Sequence, residues 1–213
     1  MMDAVPPHTA DALPARLRAA TRGLHAAAER SPLMATLVAG RVTRLRYVAL
    51  LASLHAIYAA LERALAARAD DPVVAALDAA PLARRPALER DLAALAAGPV
   101  EPAPAAQVYA ARIDALAAHG SPALAAHAYV RYLGDLHGGQ VLARLIQRQY
   151  GLPAYGGTAF YAFGDAAEVE ALKHDFRAGL DALALAPPQA DAFVAEACET
   201  FRWHQRMFEE LQG

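Results

Sequence analysis

Helical periodicity is the feature that most limits how this chain of 213 residues can fold. Apolar residues make up 56% of the sequence and aromatic residues only 7%, because alanine and leucine, both strong helix formers, predominate. Between residues 48 and 65 the apolar side chains recur three or four positions apart, which places them on one face of a helix. Strand patterns, with alternating Val, Ile or Thr between Asn-Gly or Asp-Gly turns, are nearly absent. The sequence therefore predicts an all-α fold.

Local start and stop signals divide this pattern into the helices of a single domain. Ser31, Thr43 and Asp165 are residue types that cap helix N-termini, and Asp165 with Glu168 forms a capping-box pattern. Prolines within residues 1–9 indicate a disordered tail, so we expect one helical bundle over residues 10–213. The predicted helices cover about 10–30, 31–39, 43–65, 72–79, 86–97, 105–119, 122–150, 165–185 and 188–211.

Charge and cysteine content exclude several classes of protein. The formal net charge of −2 argues against a nucleic-acid-binding protein, which carries a strongly basic surface. A single cysteine allows no internal disulfide and no CxxC zinc site. The N-terminal residues lack the basic and apolar regions of a secretory signal, and no segment has the roughly 18 uninterrupted apolar residues of a membrane span. We expect a soluble, cytoplasmic protein without a membrane anchor.

Several helix-borne metal and phosphate sites are excluded by their spacing. A di-iron site of the ferritin type needs Glu-x-x-His pairs, and none of the eight histidines has Glu three positions before it. The HExxH, phosphate-loop and EF-hand patterns are absent too. Three groups of polar residues remain as candidates for a functional site.

The first group shares one face of the first predicted helix, at spacings of three and four residues: Arg18, Arg22, His25 and Glu29. A neutral imidazole with cations one and two turns away suits a metal whose anionic substituents reach those cations. Haem, with its iron and two carboxylates, is such a group. On spacing alone, a solvated charged stripe with an incidental histidine explains the pattern more simply.

The second group is the run from Tyr129 to Gln140, which places three glycines inside a strong helical pattern. A glycine in a helix interior costs on the order of 1 kcal/mol relative to alanine, so something must offset Gly134, Gly138 and Gly139. Either a flat ligand lies directly on the backbone, or another helix packs closely there. Asp135 lies one turn from Arg131, which is also the spacing of an ordinary ion pair.

The third group, Lys173 and Arg177, is spaced by one helical turn and follows an aromatic loop at residues 155–163. The spacing alone is typical of a basic face in solvent. Considered separately, none of the three groups identifies a function.

Together these segments resemble the heme oxygenase family. The run 129–140 is similar to the family's distal helix, which bends over the haem, and the run 18–29 is similar to its proximal helix. Segments 53–62, 160–163, 173–177 and 208–211 also follow in family order, so the resemblance covers about residues 10–212. The sequence departs from the family pattern at His137, where serine is frequent, and at His204, where an amide side chain is expected. Arg18 and Arg22 stand where lysine is common.

The resemblance implies a substrate and a reaction. Haem b would lie between the first helix and a kinked helix at 122–150. Dioxygen and electrons from an external donor, a ferredoxin or a flavin reductase, would open the ring to biliverdin, carbon monoxide and ferrous iron. The implied iron ligand is His25. The implied catalytic residues are Asp135, Arg131, Tyr58 and Gly134, and the implied haem contacts are Arg18, Arg22, Glu29, Tyr129, Gly138, Gly139, Lys173 and Arg177.

Two other functions fit an all-α chain of this kind. A haem carrier or sensor on the same fold would bind haem without turnover, and would have no need of Asp135. An all-α hydrolase of thiamine-type pyrimidines would need a nucleophilic cysteine, and Cys198 lies in the last predicted helix without an evident base.

Overall fold

The computed structural model describes residues 12–119, 122–153 and 156–212, and this part of the chain is all-α, with no strand. Two short 3₁₀ turns, Ala80–Leu82 and Ala159–Tyr161, join the helices. The α-helices are α1 (Leu13–Glu29), α2 (Pro32–Val38), α3 (Arg44–Ala67), α4 (Pro72–Ala76), α5 (Arg85–Leu95), α6 (Pro104–His119), α7 (Leu124–Tyr150), α8 (Ala166–Asp181) and α9 (Pro187–Glu210). The fold class predicted from the sequence is confirmed. The tail predicted at residues 1–9 lies outside the described residues.

The helix ends follow the capping signals of the sequence. Ser31 and Thr43 accept hydrogen bonds from backbone N–H groups three residues on, and Asp165 forms the predicted capping box with Glu168. Helix α4 ends three residues before the predicted boundary, because Asp78 adopts a left-handed backbone with φ of +39°. Helix α8 ends at Asp181 rather than near 185, shortly before the prolines that open α9.

Helix α3 is the centre of the core. Thirteen of its 24 residues are buried, and it packs against α5, α6 and α7. Among the described residues it is the one helix long and apolar enough to cross a membrane, but 67% of its most apolar window is buried inside the fold. That degree of burial is typical of a core helix in a soluble protein.

Helix α9 joins the beginning and the end of the fold. It packs along α1 and also against α6 and α7. The side-chain amide of Gln205 donates to the carbonyl of Leu24 at 3.1 Å, and Arg16 pairs with Asp191 at 2.5 Å. Because α1 and α7 both pack against α9, they face each other across a cavity.

A buried carboxylate fixes the turn at Ala159–Tyr161 beside that cavity. Asp91 is fully buried and accepts hydrogen bonds from the backbone N–H groups of Ala159, at 2.7 Å, and Phe160, at 2.8 Å. Tyr47 donates to the carbonyl of Gly157 at 2.9 Å, which ties the same segment to α3. These bonds anchor the turn, and with it the side chains of Phe160 and Tyr161, to α5 and α3.

Asp91→Ala should lower the free energy of unfolding by about 3 kcal/mol, because two buried N–H groups lose their acceptor. Asp91→Asn keeps one acceptor oxygen and should lose less. Urea denaturation measures both, with Asp114→Ala as control, since Asp114 is an exposed partner of Arg63. An Asp91→Ala variant as stable as the control would show that the turn does not depend on Asp91.

Candidate functional site

A cavity of about 800 Å³ lies between α1 and α7, and its volume is in the range of small-molecule and cofactor sites. Helix α9 forms its floor through Phe201, His204 and Phe208. Phe160 and Tyr161 of the anchored turn close one side. The sequence-predicted residues that line it are Arg18, Arg22, His25, Glu29, Tyr129, Arg131, Gly134, Asp135, Gly138, Gly139 and Arg177.

The α1 wall presents an accessible imidazole beside positive charge. The side chain of His25 is 52% exposed, its Nδ1 lies 3.5 Å from a carboxylate oxygen of Glu29, and its ring packs edge-on against Phe201. Within the described parts of the chain, Arg18 and Arg22 form no ion pair with an acidic side chain, so both guanidinium charges are available to an anionic ligand.

Tyr129 lines the cavity from α7, where it is half-buried. Thr21, a buried residue of α1, lines the same cavity from the other wall. Burial raises the pKa of Tyr129, so the phenol is neutral near pH 7.

The glycines of α7 divide into two kinds. Among the described residues, a Cβ atom added at Gly134 or at Gly138 would meet nothing within 4 Å, and both glycines are exposed on the cavity wall. Close helix packing, one of the two explanations open from the sequence, therefore does not account for them. Gly139 is different, because its added Cβ would lie 3.1 Å from Cδ1 of Tyr161. Its lack of a side chain lets the anchored turn approach the helix.

Asp135 is held from two sides. Arg131 donates through Nη2 to Oδ1 at 3.1 Å and to Oδ2 at 3.0 Å, and the hydroxyl of Tyr58 donates to Oδ2. Burial raises the pKa of the Asp135 carboxyl, although Arg131 and Tyr58 both favour its ionised form. Tyr58 itself lies behind the cavity wall, fully buried. The result is a fixed carboxylate on the cavity wall, backed by two donors.

His204 completes this cluster from α9. Arg131 Nη1 lies 2.5 Å from Nε2 of His204, and since a guanidinium can only donate, that nitrogen must carry a lone pair. Burial lowers the pKa of His204 well below 6.5, and the charge of Arg131 lowers it further. The sequence marks His204 only as an unexpected residue. Its contact with Arg131 spans 73 positions, so no local pattern could have found it.

A second polar cluster, which joins α9 to α6 and α7, was not predicted from the sequence. Glu196 accepts hydrogen bonds from Arg112 at 3.0 and 2.6 Å, and its carboxylate lies 3.2 Å from Nε2 of the buried His127. Although burial acts in the opposite direction, His127 and Arg112 lower the pKa of Glu196 to about 2. The four-residue spacing of Glu196, Thr200 and His204 was the available signal, because it marks one face of α9.

The structure separates the two basic residues of α8. Arg177 lines the cavity, and its Nη2 lies 2.9 Å from Nε2 of His137. Lys173 lies outside the cavity wall and pairs with Glu170 at 2.7 Å. Cys198 is also away from the wall, where its thiol donates to the carbonyl of Ala20 at 3.8 Å. The described cavity therefore offers no cysteine nucleophile.

The stability of the protein should fall as the pH falls below about 6.5. His204 is neutral in the fold, because its pKa is lowered there, but it protonates near pH 6.5 once the chain is unfolded. Below that pH the unfolded state binds one more proton than the folded state. The free energy of unfolding therefore falls by up to about 1.4 kcal/mol per pH unit. His204→Gln keeps an uncharged acceptor and should flatten part of this slope. Urea denaturation at pH 7, 6 and 5 measures it, while the buried His127 contributes equally to both proteins. Parallel curves would contradict the assignment of a neutral His204.

Comparison with known proteins gives one consistent result. The family model described as heme oxygenase matches residues 11–210. Heme oxygenase 1 of Nostoc sp. is 33% identical over 202 residues, which cover 93% of this chain and 85% of that protein. The crystal structure of heme oxygenase-2 from Synechocystis sp., in complex with heme and NO, has a TM-score of 0.89 and 32% identity, and covers 94% of this chain and 85% of its own. The structure of heme oxygenase from Leptospira interrogans has a TM-score of 0.87 and 30% identity, and covers 93% and 99%.

Proposed function

Since the chain belongs to the heme oxygenase family and is a heme-degrading oxygenase, we propose that its substrate lies in the cavity between α1 and α7, with His25 on the iron. The bound haem supplies both the iron at which dioxygen reacts and the ring that is opened, to biliverdin, carbon monoxide and ferrous iron. Reducing equivalents come from an external donor, as is typical of the family. We expect that donor to be a ferredoxin or a flavin reductase in the cytoplasm.

The bare backbone at Gly134 and Gly138 is the observation that carries this proposal. Both positions face the cavity, and neither has a contact with the described part of the chain that would exclude a side chain. A flat ring needs such a surface, because side chains would hold it away from the helix. The cavity volume of about 800 Å³ and the unpaired cations at its edge also fit a large apolar ring with two carboxylates.

His25 is suited to bind the iron from the α1 side. Its imidazole is accessible from the cavity, and Glu29 lies 3.5 Å from Nδ1. A carboxylate near one ring nitrogen favours the tautomer that carries the proton there, which leaves Nε2 free to bind a metal. Glu29 thus acts on the ligand by orienting it.

Asp135 is suited to hold a proton-carrying water on the opposite side. Its Oδ2 accepts from both Arg131 and Tyr58, whereas Oδ1 accepts from Arg131 alone. A lone pair of Oδ1 therefore remains for a water in the cavity, and Arg131 and Tyr58 keep the carboxylate from turning away. Ordered water needs two to four polar partners, and Oδ1 of Asp135 supplies one of them from the cavity wall. A carrier or sensor, the alternative on this fold, would not need that arrangement.

The two carboxylates of haem are assigned to the basic side chains at the edge of the cavity, which we call the rim. Arg18, Arg22 and Arg177 line the cavity and carry the charge that carboxylates require. Lys173 remains a predicted haem contact, but it reaches the substrate only if it leaves Glu170. Tyr129 and Gly139, the remaining predicted haem contacts on α7, also line the cavity.

His25→Ala should remove the axial ligand and leave most of the apolar cavity. Hemin should still bind, but the histidine-ligated absorption spectrum should disappear and return when free imidazole is added. His119→Ala is the control, because His119 is an exposed histidine of α6 away from the cavity. If His25→Ala keeps the histidine-ligated spectrum, another histidine binds the iron.

Asp135→Asn should leave hemin affinity and the His25 spectrum nearly unchanged but reduce biliverdin formation by about 10²-fold or more, as expected for loss of a positioned proton-transfer group. Single-turnover spectroscopy with a reductant and dioxygen measures the product, with Asp114→Asn as a surface control. Normal conversion by Asp135→Asn would mean that Asp135 only neutralises Arg131. A wild-type complex that keeps its Soret band under these conditions would instead favour the carrier.

A further inference from the structure

We propose that His137 is a positioning residue that holds the Arg177 guanidinium at the rim of the cavity and leaves its charge available for a carboxylate of haem. The proposal rests on the function proposed above, and it assigns a role to a residue that has none in the proposed catalytic machinery. His137 and Arg177 are both exposed, both line the cavity, and they connect α7 with α8 across its edge.

Both nitrogens of the His137 ring have partners that settle their roles. Nδ1 lies 2.5 Å from the carbonyl oxygen of Leu133, which can only accept, so Nδ1 carries the proton. Nε2 lies 2.9 Å from Nη2 of Arg177, which can only donate, so Nε2 carries the lone pair. The ring is therefore neutral and anchored to its own helix, and it presents one acceptor to the guanidinium.

A neutral acceptor has an electrostatic consequence that a carboxylate would not have. His137 occupies one N–H group of Arg177 without cancelling its positive charge, and an arginine has five N–H groups. Lys173, one turn earlier on the same helix, shows the contrast, because its ammonium group pairs with the carboxylate of Glu170. Of the two basic residues on α8, Lys173 is paired with a carboxylate, whereas Arg177 is held by a neutral ring and forms no ion pair with a described carboxylate.

A fixed cation at the rim limits how the substrate sits. Haem has carboxylates along one edge only, so a cation at a set position favours one in-plane orientation of the ring. That orientation decides which meso carbon faces Gly134 and Asp135 on the α7 wall. We therefore expect His137 to affect both hemin affinity and the composition of the bilin product, acting through Arg177.

The experiment compares three substitutions of His137, together with Arg177→Ala, with two ligands. His137→Ala removes the acceptor, His137→Gln supplies a neutral amide oxygen in its place, and His137→Glu supplies an acceptor that cancels the charge of Arg177. Each protein is titrated with hemin and with hemin dimethyl ester, whose carboxylates are blocked. His119→Ala is the matched control, because its ring makes the same Nδ1 contact with a backbone carbonyl, at 2.7 Å to Ala115, away from the cavity.

His137→Ala should weaken hemin binding about two- to fivefold, the range expected for one exposed contact to a charged group. His137→Gln should restore most of the affinity, and His137→Glu should bind more weakly than His137→Gln. None of the three should change the affinity for hemin dimethyl ester. His137→Ala should also give a mixture of bilin isomers where the wild-type protein gives fewer.

Two results would overturn the proposal. An equal loss with hemin and with its dimethyl ester would show that His137 acts on the fold and not on a carboxylate. Unchanged hemin binding in His137→Ala, with a clear loss in Arg177→Ala, would show that Arg177 needs no positioning residue, while its own assignment stands. If Arg177→Ala has no effect either, the assignment of the rim in the proposed function fails instead.

Discussion

The buried ion pair between Arg131 and Asp135 is the interaction on which the rest of the site depends. Moving two charges out of water is unfavourable by several kcal/mol per ion unless hydrogen bonds satisfy what the pair leaves over. Here Tyr58 of α3 supplies a donor to the carboxylate, and His204 of α9 supplies an acceptor to the guanidinium. Each partner comes from a different helix, so the pair fixes α3, α7 and α9 relative to one another. Removing either charge alone would leave the other buried with only its neutral partner, Tyr58 for the carboxylate or His204 for the guanidinium.

This polar cluster lies next to a stretch of α7 that has no side chains on its cavity side. Gly134 and Gly138 leave the surface of α7 without side chains on the cavity side, which weakens the helix locally. The polar cluster directly behind them compensates by holding the same helix turns in place. Although its glycines weaken α7, the helix can therefore present a flat surface with a defined position. The Asp135 carboxylate is held in a fixed position next to that surface.

Much of this could be predicted from the sequence, because it depends on local chemistry. The helix caps at Ser31, Thr43 and Asp165 and the one-turn spacing of Arg131 and Asp135 are short-range signals. The resemblance to a family added the pairing of α1 with α7. What could not be predicted depends on contacts between distant positions. Lys173 and Arg177 look alike in the sequence, and only their three-dimensional neighbours show that one is neutralised and the other is not.

The packing of α1 along α9 has a consequence for the order of events in the cell. Translation produces α1 first and α9 after all the other helices described here, yet Gln205 bonds to Leu24 across a separation of 181 positions. Until α9 emerges, α1 lacks the surface on which it rests, and the cavity lacks its floor of Phe201, His204 and Phe208. A chain that stalls before α9 already carries His25 on α1 and the bare glycines of α7, but it lacks the floor that completes the cavity between them. The iron ligand is thus made early in synthesis, and the enclosure around it is finished only by the last of these helices.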